Sequence, residues 1–118
     1  MSNEQLLKVL ISLGIKRLDA EVYLLLATSG PKKGRTISNE LKINKQQLYR
    51  SLKNLQKKGL VKASLEYPVL FTAATIEDAF DSFRETKLEE AQFIIEKKDE
   101  LLLKWQTIMK KNNKTNSR

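Results

Sequence analysis

Residues 37–59, Ile37-Ser38-Asn39-Glu40-Leu41-Lys42-Ile43-Asn44-Lys45-Gln46-Gln47-Leu48-Tyr49-Arg50-Ser51-Leu52-Lys53-Asn54-Leu55-Gln56-Lys57-Lys58-Gly59, carry the pattern that decides the fold. Ile37 and Leu41 stand four apart with the small Ser38 between them, as on one face of a short helix from about Arg35 to Leu41. Lys42-Ile43-Asn44 makes a turn. Asn44 can cap a second helix, accepting a hydrogen bond from an otherwise unpaired N–H of its first turn. That helix runs from about Lys45 to Lys58, with Leu48, Leu52 and Leu55 on its inner face and Gly59 as its stop. Two short helices across a tight turn make a helix-turn-helix.

The outer face of the second helix carries the chemistry. Gln46, Arg50, Lys53 and Lys57 succeed one another at steps of four, three and four, opposite the leucines. Gln47, Tyr49 and Asn54 flank them, Lys45 sits in the first turn, and Asn44 just before it completes the set of expected DNA contacts. Gln pairs bidentately with adenine and Arg with guanine, while Lys and Tyr hold phosphates. Lys32, Lys33 and Arg35 lie where the short helix begins, close to a phosphate backbone if the longer helix docks in a groove. Lys, Gln and Arg also occur on any solvated helix, so it is the combination with the turn and the flanking elements that points to duplex DNA.

Charge distribution points the same way. Between Lys32 and Lys62 ten Lys/Arg face one acid, Glu40, a local balance of +9 against +8 for the whole chain. Positive charge needed for solubility alone would be spread; here it is concentrated on a groove-sized motif, as a polyanion partner requires.

The flanks complete one domain. Leu6, Leu7, Val9, Leu10 and Leu13 recur at helical spacing up to Gly14. Leu18 to Leu26 comes next, apolar on more than one face, as a central buried helix should be, so Tyr23 is expected in the core. Beyond Gly59 the period changes to two: Leu60 to Leu65 and Val69 to Ala73 flank Glu66-Tyr67-Pro68 as a hairpin. Its tip offers no cation, so this wing is expected to serve packing more than affinity. Thr75 then caps a long helix opening with Ile76-Glu77-Asp78.

Composition excludes much else. With no Cys and no His, the chain has no disulfide frame, no thiolate, no imidazole base and no His or Cys metal ligand. No phosphate-cradling glycine loop appears. No catalytic residue, metal or cofactor is expected, and the chain does not read as an enzyme. No stretch approaches the roughly 20 apolar residues of a membrane span, and Met1-Ser2-Asn3-Glu4-Gln5 lacks a signal peptide's basic start. A cytoplasmic protein is expected.

These residues carry a resemblance. Leu13-Gly14-Ile15, Asp19-Ala20-Glu21-Val22-Tyr23-Leu24, Gly30-Pro31, Ile43 to Leu52 and Leu55-Gln56-Lys57-Lys58-Gly59-Leu60-Val61 resemble the winged-helix domain of the TrmB family, transcription regulators found mostly in archaea. The match covers roughly residues 6–85. It implies a DNA-binding winged helix-turn-helix, with Lys45, Gln46, Gln47, Tyr49 and Arg50 at positions that usually meet DNA. Two departures stand out: Lys42 occupies a turn position often held by Gly, where a left-handed backbone costs on the order of 1 kcal/mol, and Asn44 replaces a frequent Pro. Larger members continue into a sugar-sensing effector domain; sugar sensing is not expected of these residues, and a small-molecule effector stays open.

From Ile76 to about Lys111 one helix would be about 50 Å long, too long to bury itself on so small a domain. Leu88, Ala91, Ile95, Lys98, Leu102, Trp105 and Met109 form an unbroken seam, widened by Ile94, Leu101 and Ile108. Glu89, Glu90, Glu96, Lys97 and Glu100 border it. Ile76, Phe80 and Phe83 keep an earlier phase and are expected to pack on the winged domain. The seam, with Leu88, Ala91, Ile95, Leu102, Trp105 and Met109 as interface, either meets a second copy, parallel or antiparallel, or folds back on its own domain.

The expected fold class is mainly α: a winged helix-turn-helix with a two-stranded wing over residues 1–75, a coiled-coil-like dimerisation helix over 76–111 and a flexible tail over 112–118. The expected function is a homodimeric, sequence-specific transcription regulator whose partners are double-stranded DNA and itself, with no membrane. A protein-interaction module of a transcription assembly and a sequence-independent architectural DNA binder are the alternatives. Target genes, operator sequence and the direction of control are not legible.

Overall fold

The computed structural model describes residues 2–116, with side chains as far as 113. Five helices and a two-stranded antiparallel sheet occur in the order α1 (Asn3–Ser12), α2 (Arg17–Ser29), α3 (Gly34–Leu41), α4 (Lys45–Lys57), β1 (Val61–Ala63), β2 (Phe71–Ala73) and α5 (Ile76–Asn116). The chain divides into two units, Met1–Phe83 and Arg84–Arg118. The first is a winged helix-turn-helix.

Local chemistry sets the helix boundaries. The Ser2 hydroxyl accepts from the Gln5 backbone N–H while the Gln5 side chain accepts from the Ser2 N–H, so two orphan donors of α1 are satisfied reciprocally. Gly14, at φ 99°, turns the chain after α1. The hydroxyl of Thr75 accepts from the Asp78 N–H and starts α5 as expected.

Helix α2 is the centre of the first unit. Ala20, Val22, Tyr23, Leu24 and Leu26 are buried on several of its faces, and it contacts α1, α3, α4 and β2. Around it pack Leu7 and Leu10 of α1, Ile37 of α3, Leu48, Leu52 and Leu55 of α4, and Leu60, Val61 and Phe71 of the wing. Tyr23 is a core residue: its hydroxyl donates to the Ala74 carbonyl at 2.7 Å, and burial, with the nearby Asp78 carboxylate, raises its pKa above the ordinary phenol value.

The wing is shorter than its period-two pattern suggests. Val61, Lys62 and Ala63 pair with Ala73, Thr72 and Phe71. Beyond Ala63 the Ser64 hydroxyl accepts from the Leu70 N–H at 2.9 Å and donates to the Glu66 carbonyl at 3.1 Å. The Ser64 N–H still donates to the Leu70 carbonyl at 2.9 Å, so the side chain replaces only the return bond of that rung. On its other edge β2 meets Lys32, whose N–H and C=O both bond to Phe71. The loop after α2 is thereby stitched to the wing.

The first unit extends past residue 75, into α5. Ala79 is buried there, Phe83 packs against the core, and the Phe80 and Phe83 rings meet edge to face at 6.1 Å. Ile76 stays partly exposed. At its far end α5 runs past Lys111: residues 112–116, expected to be a flexible tail, are helical, since no Gly or Pro interrupts them. Residues 117 and 118 of that tail lie outside the described residues. Every residue from 84 to 113 is exposed, the seam included.

Candidate nucleic-acid interface

Helix α4 is held from behind and open in front. Leu48, Leu52 and Leu55 are each no more than 1% exposed, whereas Gln46, Arg50, Lys53 and Lys57 are all exposed. The separation comes from the heptad-like spacing of the leucines, which fixes the rotation of the helix against α2. Lys45 and Tyr49 are exposed too, with the Lys45 ammonium 5.9 Å from the centre of the Tyr49 ring. The Tyr49 ring lines the surface both toward α3 and toward the wing.

The turn before α4 supplies its cap. Asn44 Oδ1 accepts from the Gln47 N–H at 2.8 Å, and Gln47 Oε1 accepts from the Asn44 N–H at 3.0 Å. By residue type both side chains are candidates for DNA contact. In this state their oxygens are committed to the helix end, so Gln46, not Gln47, keeps both halves of its amide for a bidentate partner. Lys42 adopts the left-handed conformation, φ 55° and ψ 47°, in a non-Gly residue. The Ser38 hydroxyl donates to the Ile43 carbonyl and the Ile43 N–H returns to the Ser38 carbonyl, which locks the turn.

The cationic loop before α3 is not uniform. Lys33 and Arg35 are exposed. Lys32 is half-buried, and its ammonium pairs with Glu40 at 3.2 Å, so the single acid of the basic stretch neutralises it. Gly34 lies close against Leu48, Phe71 and the Tyr49 hydroxyl, each within about 3.6 Å of where a Cβ would stand. Two clefts meet at that point. One of about 430 Å³ is lined by Arg35, Ser38, Asn39, Lys45 and Tyr49. The other, about 290 Å³, runs from Lys33 and Tyr49 to Tyr67, Pro68 and Val69. The wing tip therefore shares the face of α4, with Leu65 and Tyr67 almost fully exposed.

Asn54 is turned the other way. It is half-buried, and its amide donates at 3.4 Å to the carboxylate of Asp19, a 3%-exposed residue in the first turn of α2. Sequence reasoning did not bring Asp19 to this face. An acid in a first helical turn reads as a dipole partner, and nothing in the spacing says that it looks onto another helix.

Among the described residues no helix is long and apolar enough to cross a membrane. The family model described as "Sugar-specific transcriptional regulator TrmB" matches residues 10–77. None of the curated proteins matches the chain. Solved structures share the fold at low identity. A possible transcriptional regulator from Methanosarcina mazei Go1 is 14% identical over 78% of this chain and 83% of its own, with a TM-score of 0.63. Transcriptional regulator Tm0710 from Thermotoga maritima is 18% identical over 92% and 83%, with a TM-score of 0.55. Overoxidized AbfR bound to DNA is 22% identical over 80% and 76%, with a TM-score of 0.52; another AbfR structure is of the Staphylococcus epidermidis protein. With the family model covering more than half of its length, this chain belongs to the TrmB family of transcription regulators, winged-helix proteins that are not enzymes.

Proposed function

We propose that the protein binds duplex DNA sequence-specifically as a homodimer, with α4 in the major groove and Lys33 and Arg35 at the phosphates. The observation that carries this reading is the rotation of α4: its leucines are sealed against α2 while Gln46, Arg50, Lys53 and Lys57 face solvent, unmasked by the chain. A helix so placed presents donors for base edges and cations for the backbone. AbfR, a protein of the same fold, has been solved on DNA, which supports the same use of the fold here.

The homodimer rests on α5. Leu88, Ile95, Leu102, Trp105 and Met109 are each at least 40% exposed, with Ile94, Leu101 and Ile108 beside them. A contiguous strip of this kind is adhesive in water and calls for a partner. A second copy supplies an identical strip, and a two-fold then presents two α4 helices to half-sites about one turn, ~34 Å, apart.

A mobility shift against genomic fragments, repeated over a salt series, tests the DNA reading. Selective retention with a steep salt dependence is expected. Binding without preference would instead mean an architectural protein, and no binding at low salt would leave a protein-interaction module. For the dimer, Ile95→Glu with Leu102→Glu is expected to halve the mass in sedimentation; an unchanged mass overturns it.

A further inference from the structure

Four residues of α4, Gln47, Arg50, Ser51 and Asn54, lie on one stripe and line a cavity of about 150 Å³ that opens toward the start of α2. Asp19 stands at its α2 wall, next to Lys16. This corner is polar in an otherwise apolar interface. Asp19 is 3% exposed, yet its described partner is a single amide, Asn54, at the long distance of 3.4 Å. Ser51, 2% exposed, has a hydroxyl with no hydrogen-bond partner. A buried carboxylate with so few donors draws on whatever cation can reach it, because the low local dielectric strengthens the attraction. Arg50 lines the same cavity and is itself exposed, so its five-donor fork can turn toward this corner or toward the solvent where DNA would lie.

We infer that Asp19 is a positioning residue for base reading: from behind α4 it holds Asn54 and restrains the Arg50 guanidinium, so that the fork reaches a base edge in one orientation. The inference rests on the DNA-binding reading above. Arg50 closes no direct ion pair among the described residues, so the carboxylate acts on it across the cavity, through its field. Without that restraint a flexible arginine settles on phosphates as readily as on guanine, and specificity falls while affinity for arbitrary DNA does not.

The test has a DNA-bound and a DNA-free arm. Sites are selected from a random duplex pool with the wild type, and the best is competed against its single-base variants. Arg50→Ala is expected to lower discrimination at one base pair about tenfold. Asp19→Asn is expected to lower it roughly threefold at the same base pair, and to add nothing in the Arg50→Ala background. A uniform change at all positions, or additive losses in the double variant, overturns the proposal. In the DNA-free wild type, the Arg50 Nε–H is expected to exchange with water more slowly than that of exposed Arg35 in NMR spectra. Equal exchange overturns the restraint, and this comparison needs no variant to fold. If the wild type enriches no sequence, the DNA reading itself fails, and the exchange comparison still decides whether Asp19 restrains Arg50.

Discussion

Helices α4 and α5 are both amphipathic, yet the same patterning ends differently in each. In α4 the apolar stripe is sealed: Leu48, Leu52 and Leu55 vanish into the core of the first unit, and polarity is left for function. Along α5 from residue 84 onward the stripe is equally regular, but Leu88, Ile95, Leu102 and Trp105 all stay in water. Periodicity thus states that a face needs covering and is silent on what covers it. Length decides between the cases. A 13-residue helix fits across its own small domain, whereas a 41-residue one, about 60 Å, exceeds it.

The contrast breaks most sharply at two leucines. Leu52→Ala should cost about 2–5 kcal/mol, since it empties a site with 1% exposure in the core cluster, whose packed neighbours relax only in part. Leu102→Ala should cost the isolated chain less than about 0.5 kcal/mol, as surface changes do. In an assembled dimer its cost should instead rise with protein concentration. Urea unfolding at two concentrations a hundredfold apart reads both. A Leu102→Ala penalty as large as that of Leu52→Ala, and independent of concentration, would show the arm buried by its own chain.

A smaller effect sharpens the interior side of the comparison. Tyr23→Phe removes the hydroxyl bonded to Ala74 and should cost about 1 kcal/mol at neutral pH. The pH dependence has a definite sign. The folded state raises the Tyr23 pKa, chiefly through desolvation. The stability tied to its neutral form is therefore fully present below the unfolded value near 10.0 and is lost as pH rises through the folded value. Above pH 10 the wild type should lose stability faster than Tyr23→Phe. Parallel alkaline profiles in thermal melts would contradict this assignment.

Much of this was legible from residue spacing. The leucine steps gave α4 its rotation, Asn44 and Thr75 gave two helix starts, and the break between Phe83 and Leu88 separated the docked turns of α5 from the rest. What escaped depends on through-space partners. Lys32 reads as one cation among many until the bridge to Phe71 brings it to Glu40. Asn54 reads as an outward flank because a helical wheel does not know that Asp19 waits on α2. The Asn44–Gln47 cap was half visible, since Asn announces a cap, but the reciprocal bond competes with a DNA role for Gln47 that residue type alone also allows. The strand ends were lost to the Ser64 hydroxyl, a side chain replacing the return bond of one rung.

The smallest expected effect lies at Lys42, in the turn that joins α3 to α4. At φ 55° its Cβ crowds the backbone, a strain on the order of 1 kcal/mol that glycine does not feel. Glycine also loses more freedom on folding, which offsets part of the gain. Lys42→Gly should therefore stabilise by a few tenths of a kcal/mol, up to about 1 kcal/mol. Charge is a confounder, because the substitution also removes one cation from a stretch holding ten. Lys42→Ala removes the same charge and keeps the Cβ, so the difference between the two variants isolates the backbone. A higher urea midpoint for Gly than for Ala is expected; equal midpoints would mean that any gain came from relieving cationic repulsion and that the left-handed turn carries no measurable strain.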